Sequence, residues 1–183
     1  MRLQTNLSSF NNDWYKPGSK VKIVLWFVVH WLFFVNPFTP SGLKIVLLRL
    51  FGAIVGKKVV VKPFVRIKYP WFLEIGDFSW IGESVWIDNL MKIKIGSHVC
   101  LSQGAMLLTG NHNYKKVSFD LIAEGIELED GAWIGAKAVV CPGVKVASHA
   151  VLTVGSVATK HLQEYTIYQG NPAVAVKKRT IEE

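Results

Sequence analysis

The sequence predicts a mainly β protein, a left-handed parallel β-helix of hexapeptide repeats with an N-terminal helical segment, and three observations carry that expectation. The stretch LEDGAWIGAKAVVCPGVKVASHAVLTVGSV has an aliphatic residue at every sixth position: Leu128, Ile134, Val140, Val146 and Leu152. Upstream, IGDFSW, IGESVW, IDNLMK, IGSHVC and LSQGAM keep the same period, and ATKHLQ ends it. The fifth residue of these hexads is small or β-branched in nine of eleven, as in Ser79, Ala132, Ala138 and Val144, which suits a crowded corner.

A period of six matches neither a helix, near 3.6, nor a strand, at 2. A short flat strand followed by a turn does match it. Three such units close a triangular coil whose first-position side chains stack inward on those of the next coil. At about 18 residues per coil, the span from Val59 to Gln163 holds roughly five coils. Glycine at the second position, as in Gly76, Gly82, Gly96 and Gly135, is expected to supply the backbone freedom of the repeated turn. The register breaks twice, by two residues between Lys92 and Ile95 and by a longer insertion near residues 109–126. Solenoid insertions leave as loops on one face and often carry the site. The chain therefore divides into an N-terminal helical segment (1–57), a β-helix (58–163) with a protruding loop, and a C-terminal extension (164–183).

The helical segment opens with IVLWFVVHWLFFV (23–35), which Asn36-Pro37 and Thr39-Pro40 interrupt. It is shorter than the about 20 residues that span a bilayer. It also begins too late, and lacks the small-residue cleavage site, to be a secretory signal. A second helix is expected from Ser41, as N-cap, with apolar residues at Leu43, Val46, Leu47 and Leu50 before Gly52. One reading packs both helices on the following domain or a neighbouring subunit. The other uses Trp26, Phe27, Trp31, Phe33 and Phe34, flanked by Lys20, Lys22 and Lys44, for peripheral membrane contact through residues 20–52.

The chain carries 21 Lys and Arg against 13 Asp and Glu, a net charge of +8, which predicts attraction to an anion. Nucleic acid is not the expected one, because no zinc-finger spacing or RNA-recognition motif is present and the basic residues are scattered or terminal. Phosphate-bearing small molecules and anionic lipid fit better. Cys100 and Cys141 lie in apolar stretches and read as buried thiols of a reducing, cytoplasmic compartment, not as a disulfide.

With these residues, LLRLFGAIVGKKVVVKP, IKYPWFLEIGDFSWIGESVWIDN, TGNHNY, EDGAWIGAKAVVCPGV and YTIYQGNPAV, the chain resembles the hexapeptide-repeat O-acetyltransferases. The likeness is greatest to the colanic acid biosynthesis type, and more distant to maltose and galactoside acetyltransferases. It implies a homotrimer that moves an acetyl group from acetyl-CoA to a carbohydrate of surface polysaccharide assembly, with no metal. It implies that His112, in TGNHNY, is the general base. The chemistry agrees, since a sugar hydroxyl must lose its proton as it attacks the thioester and a neutral imidazole operates near physiological pH. No acyl-enzyme is required. His30 lies in the apolar run, and His98, His149 and His161 each hold the fourth, outward position of a hexad.

By the same resemblance the donor runs past Trp133 and Ala136 toward Thr159 and Lys160, with Lys160 and Lys177 placed for coenzyme A phosphates. The sequence departs from the better-known sugar acetyltransferases at Ala136, where serine is frequent, at Val154, where a small residue is usual, and at Val174, where arginine is expected. These departures bear on the details of coenzyme contact. Asp88 and Asn89, in WIDNL, are expected either to bind acceptor hydroxyls or help position His112, or only to shape the turn. Two other functions share the scaffold: a non-catalytic assembly solenoid, and a zinc-dependent gamma-type carbonic anhydrase, whose paired histidines this chain lacks.

Overall fold

A computed structural model describes residues 3–183 as a three-sided parallel β-solenoid preceded by helices. The first side stacks Ile54–Val55, Leu73–Ile75, Ile93–Ile95, Ile126–Leu128 and Lys145–Val146. The second stacks Val60–Val61, Trp80–Ile81, Cys100–Leu101, Trp133–Ile134, Val151–Leu152 and Thr166–Gly170. The third stacks Arg66–Ile67, Trp86–Asp88, Met106–Leu108, Val139–Val140 and Val157–Ala158. These strands make five complete coils and the start of a sixth. Ala173–Lys178 then folds back antiparallel on Thr166–Gly170. The coil thus begins at Ile54 and its last parallel strand reaches Gly170, a few residues beyond 58–163 at either end.

The hexad's first residue is the core. Ile75, Ile81, Ile87, Ile95, Leu101, Leu107, Leu128, Ile134, Val140, Val146 and Leu152 are all buried and form one continuous cluster. Each such side chain contributes about 1.5–3 kcal/mol on leaving water. The small fifth residues Ser79, Ala105, Ala132, Ala138 and Ala150 are also buried, at the corners.

The turn's unusual backbone sits elsewhere than at the second-position glycine. Positive φ falls on the fourth residue, Phe78, Ser84, His98, Gly104, Gly131, Lys137, Gly143, His149 and Gly155. Gly135 is glycine for a different reason: a Cβ there would lie 2.6 Å from the backbone nitrogen of Val154 in the next coil. Close approach of neighbouring coils, not torsional freedom, fixes that residue.

Coil length also differs from a uniform 18. The register pairs Val55 with Ile75, Ile75 with Ile95, Ile95 with Leu128 and Leu128 with Val146, so the first three coils are long and the later ones short. The extra residues leave at one corner, between the third and first sides: Lys68–Phe72 in the first coil, Asn89–Lys92 in the second and 109–125 in the third. Stacked insertions at one edge build the walls of a site.

Helix α1 (Lys20–Val29) continues through a π turn, His30–Phe34, and helix α2 (Ser41–Leu50) follows. Together they close the first coil, whose strands have no earlier coil to pair with. Trp26 Nε1 donates to Ile67 O at 2.9 Å, His30 Nε2 meets Val65 O at 3.1 Å, Lys44 Nζ donates to Lys62 O at 3.1 Å, and Arg49 donates to Val55 O at 2.8 Å. Ser41 Oγ accepts from Val61 N at 2.8 Å. Side chains thus satisfy backbone groups that would otherwise stand unpaired. Ser41 is the first helical residue and Pro40 the N-cap, so the hydroxyl serves the sheet instead of the helix.

This packing divides the two readings of the helical segment. Trp26 and Phe34 are buried against the solenoid and Phe33 is half-buried, whereas Phe27 and Trp31 are exposed. Lys44 is buried, with its pKa lowered by desolvation, so it does not flank a surface. In α2 the inward face is Lys44 and Leu48, and Leu43, Val46 and Leu50 point out.

Candidate active site

The three corner insertions and the N-terminal strand of chain enclose a cavity of about 530 Å³. Its walls include Tyr69 from the first coil, Asp88 and Leu90 from the second, and Gly110–His112 from the third. The fourth wall is the segment around residues 10–17. Tyr15 donates from its hydroxyl to Leu90 O at 2.7 Å, Asn6 N to Val117 O at 2.8 Å, and Asn11 N to Asp120 Oδ1 at 3.2 Å. Burial first, then Tyr69 and Asp88, push the Tyr15 phenol up, so it stays a donor.

His112 ends the strand Gly110–His112, which pairs antiparallel with Leu121–Ala123 to make the protruding loop a hairpin. Its ring stacks on Phe119, centroids 4.5 Å apart, and Phe10 approaches from the N-terminal segment at 5.8 Å. Nδ1 lies 3.0 Å from Phe119 O. A carbonyl only accepts, so Nδ1 carries the proton and the neutral ring keeps its lone pair on Nε2. The tautomer a general base requires is therefore set by the loop's own backbone.

Asp88 lines the cavity and pairs with Lys68 Nζ at 3.0 Å. Asn89 does not face it. That side chain is fully buried, with Oδ1 accepting from Lys68 N at 3.1 Å and Tyr69 N at 3.0 Å and Nδ2 donating to Tyr69 O at 2.6 Å. Asn89 holds the first corner insertion to the second and is unavailable to an acceptor, so of the expectations for it the turn-shaping one describes the geometry.

Thr159 lies behind the hairpin, on a second cavity of about 280 Å³ shared with Asn111, Ala123, Glu124 and Pro142, and exposed Lys160 follows it. Trp133 and Ala136 are not at this corner. Trp133 stands on the second side, half exposed, its indole N–H donating to Ser102 Oγ at 2.9 Å. Ala136 follows at the corner between the second and third sides, its carbonyl accepting from Gly155 N. Lys177 shares Trp133's register through Val151 and Ile167, three strands away or about 14 Å. One chain thus places these residues on different edges.

The N-terminal wall is absent from the sequence-derived set. Phe10, Tyr15, Lys68 and Tyr69 line the cavity, yet residues 3–17 show no period or motif that points to it. Cys100 and Cys141 are free, and burial raises both thiols, which opposes thiolate chemistry. Among the described residues no three or more His, Cys, Asp or Glu converge to hold a metal.

No protein-family profile matches the chain. A curated relative of Escherichia coli named as the colanic acid biosynthesis acetyltransferase WcaF is 36% identical over 166 residues, covering 90% of this chain and 91% of that one. A chloramphenicol acetyltransferase of Klebsiella aerogenes is 30% identical over 117 residues, 52% of this chain and 56% of its own. Among solved structures, a hexapeptide-repeat acetyltransferase of Vibrio cholerae superposes with a TM-score of 0.80 at 22% identity, covering 88% of this chain and 93% of that one. A galactoside acetyltransferase in complex with coenzyme A gives 0.78 at 19% identity, covering 87% and 82%. The chain belongs to the hexapeptide-repeat acetyltransferases. Within them it is of the WcaF-like type, and it is an acyltransferase.

Proposed function

We propose that this acetyltransferase moves the acetyl group of acetyl-CoA onto a hydroxyl of a saccharide used in surface polysaccharide assembly. The reaction is a direct transfer with both substrates bound. The observation that carries this reading is the pairing of Nδ1–H of His112 with Phe119 O, which leaves Nε2 as the ring's one proton acceptor in a cavity large enough for a sugar. Nε2 takes the acceptor's hydroxyl proton as its oxygen attacks the thioester carbonyl, and the tetrahedral adduct collapses by breaking the C–S bond. The departing thiolate then recovers the proton from the imidazolium, leaving an ester, free coenzyme A and neutral His112.

The carbohydrate acceptor is supported by the WcaF relative's name and by a neighbour named as a maltose O-acetyltransferase. The donor is supported by a Vibrio cholerae neighbour complexed with acetyl coenzyme A. Asp88 is assigned to the acceptor, whereas Trp133, Ala136, Thr159, Lys160 and Lys177 are assigned to the donor. Because those five lie on separate edges, the donor groove forms between the second side of one protomer and the loop corner of the next, in a homotrimer. Sedimentation should report three times 20.5 kDa. A coenzyme A donor and two free cysteines fit the cytoplasm.

The test is labelled acetyl transfer from acetyl-CoA to a panel of cell-envelope saccharide precursors, with free thiol followed in parallel. Thiol release stoichiometric with acetylated saccharide is expected. Acetyl-CoA binding without transfer to any saccharide would overturn the carbohydrate acceptor.

A further inference from the structure

No helix among the described residues is long and apolar enough to cross a membrane, yet α1 is apolar on both faces. Trp26, His30 and Phe34 face the solenoid. Val21, Val24, Leu25, Val28, Trp31, Leu32 and Val35, at steps of three and four, form an opposite stripe that is 42–71% exposed. Leu43, Val46 and Leu50 of α2 and Phe38 between the helices are exposed as well, Phe38 and Leu50 by three-quarters or more. A helix apolar all round is ordinarily covered on both faces.

Charge identifies what covers it. From Trp14 to Leu73, the chain that forms the helices and the first coil, there are ten Lys and Arg and no Asp or Glu. The rest of the chain has 11 against 13, so the excess positive charge of the whole protein is gathered at this end. Among the described residues only Lys68 of the ten makes an ion pair. Lys16, Lys20, Arg49, Lys57, Lys58, Lys62 and Arg66 are exposed. A second copy docked end to end would bring two such basic ends together, an arrangement that like charge opposes.

We infer that the helical end is a monotopic docking surface for an anionic lipid bilayer, with the α1 stripe in the acyl boundary and the basic first coil at the headgroups. The acceptor cavity lies just behind it. Trp71 Nε1 donates to Pro17 O at 2.7 Å, Lys22 Nζ sits 4.5 Å above the Trp71 ring, and Trp71 stacks at 5.2 Å on Tyr69, a wall of that cavity. With coils spaced by about 4.8 Å, Asp88 and Gly110 stand only one and two coil steps beyond the basic first coil. This rests on the acceptor-cavity reading and gives its substrate class: a saccharide carried on a membrane lipid.

The docking is tested by binding alone, so acetyl transfer is not needed to judge it. Full-length protein is sedimented with vesicles of phosphatidylcholine and with vesicles containing phosphatidylglycerol, at low and high salt, beside the variants Val28→Glu with Leu32→Glu and Lys57→Gln with Lys58→Gln. Expected are pelleting on the anionic vesicles, weakening with salt, at least tenfold weaker binding for the glutamate variant, and a shallower salt dependence for the glutamine variant. Circular dichroism checks the fold of both, whose substituted side chains are exposed. Protein left in the supernatant with anionic vesicles at low salt overturns the inference. So does equal binding by the folded glutamate variant, or a doubling of assembly mass that the glutamates abolish without any vesicle binding.

Discussion

Replacing His112 by Asn separates the two tasks of this side chain. The asparagine Nδ2 falls near the position of the imidazole Nδ1 and can still donate to Phe119 O, 3.0 Å away in the native protein, but nothing remains at the place of Nε2 to take a proton. Removing a positioned base costs about 10²–10⁴ in kcat, or roughly 3–5 kcal/mol of transition-state stabilisation. His112→Ala loses the base as well as the hydrogen bond and the stack on Phe119, so it should cost a further about 1–2 kcal/mol of stability. Steady-state coenzyme A release gives kcat and KM, and urea unfolding gives stability. Both variants should lose kcat equally with little change in KM for acetyl-CoA, while only the alanine shifts the urea midpoint. A folded Asn variant retaining more than a tenth of wild-type kcat would refute the assignment of the base.

Asn89→Ala strands buried backbone groups of Lys68 and Tyr69, and urea unfolding should show a loss of about 2–4 kcal/mol; a stable variant with a raised KM for the acceptor would instead return Asn89 to the substrate. Gly135→Ala drives a Cβ to 2.6 Å from Val154 N and should cost more, by about 1–3 kcal/mol, than Gly155→Ala, which meets nothing within 4 Å and carries only the penalty of its φ of +66°. Equal losses at the two sites would remove the coil-contact argument. Burial, foremost, holds the pKa of His30 below its ordinary value, so its neutral form gives full stability above about pH 6.5. As pH falls from there toward the lowered folded value, the unfolded chain gains a proton that folded His30 resists, and stability declines. The urea midpoint should drop less between pH 7.5 and 5.5 in His30→Gln than in the wild type; the same drop in both would assign the slope to other groups.

The solenoid was legible because its code is local: one aliphatic residue every six, as from Leu128 to Leu152, sets the inward direction without reference to distant chain. The protruding loop was legible too, since a break in a strict period announces itself, whereas His112 within it was singled out by the family resemblance. What the period does not encode is contact between coils. Gly135 reads as a flexible turn until Val154 is seen against it, and Asn89 reads as an exposed turn residue until the Lys68–Tyr69 backbone is seen around it. The wall formed by Phe10 and Tyr15 joins distant chain through one hydrogen bond between residues 75 apart and one ring contact, Phe10 with His112, which leave no repeating mark. In α2 the apolar spacing of Leu43, Val46 and Leu50 is real, but the face the solenoid takes is the one with Lys44, because an open strand end needs donors more than it needs carbon.

That last contact bears on how the molecule stays a molecule. A stack of parallel coils has no intrinsic length, and each end offers a ready template on which another chain can add its own strands. At one end, the groups contributed by Trp26, His30, Ser41, Lys44 and Arg49 occupy the template's positions one by one; at the other, Ala173–Lys178 reverses direction and ends in Lys177 and Lys178. The polar side chains under the helices therefore act as chain terminators, and they are what separates a finite enzyme from a fibre.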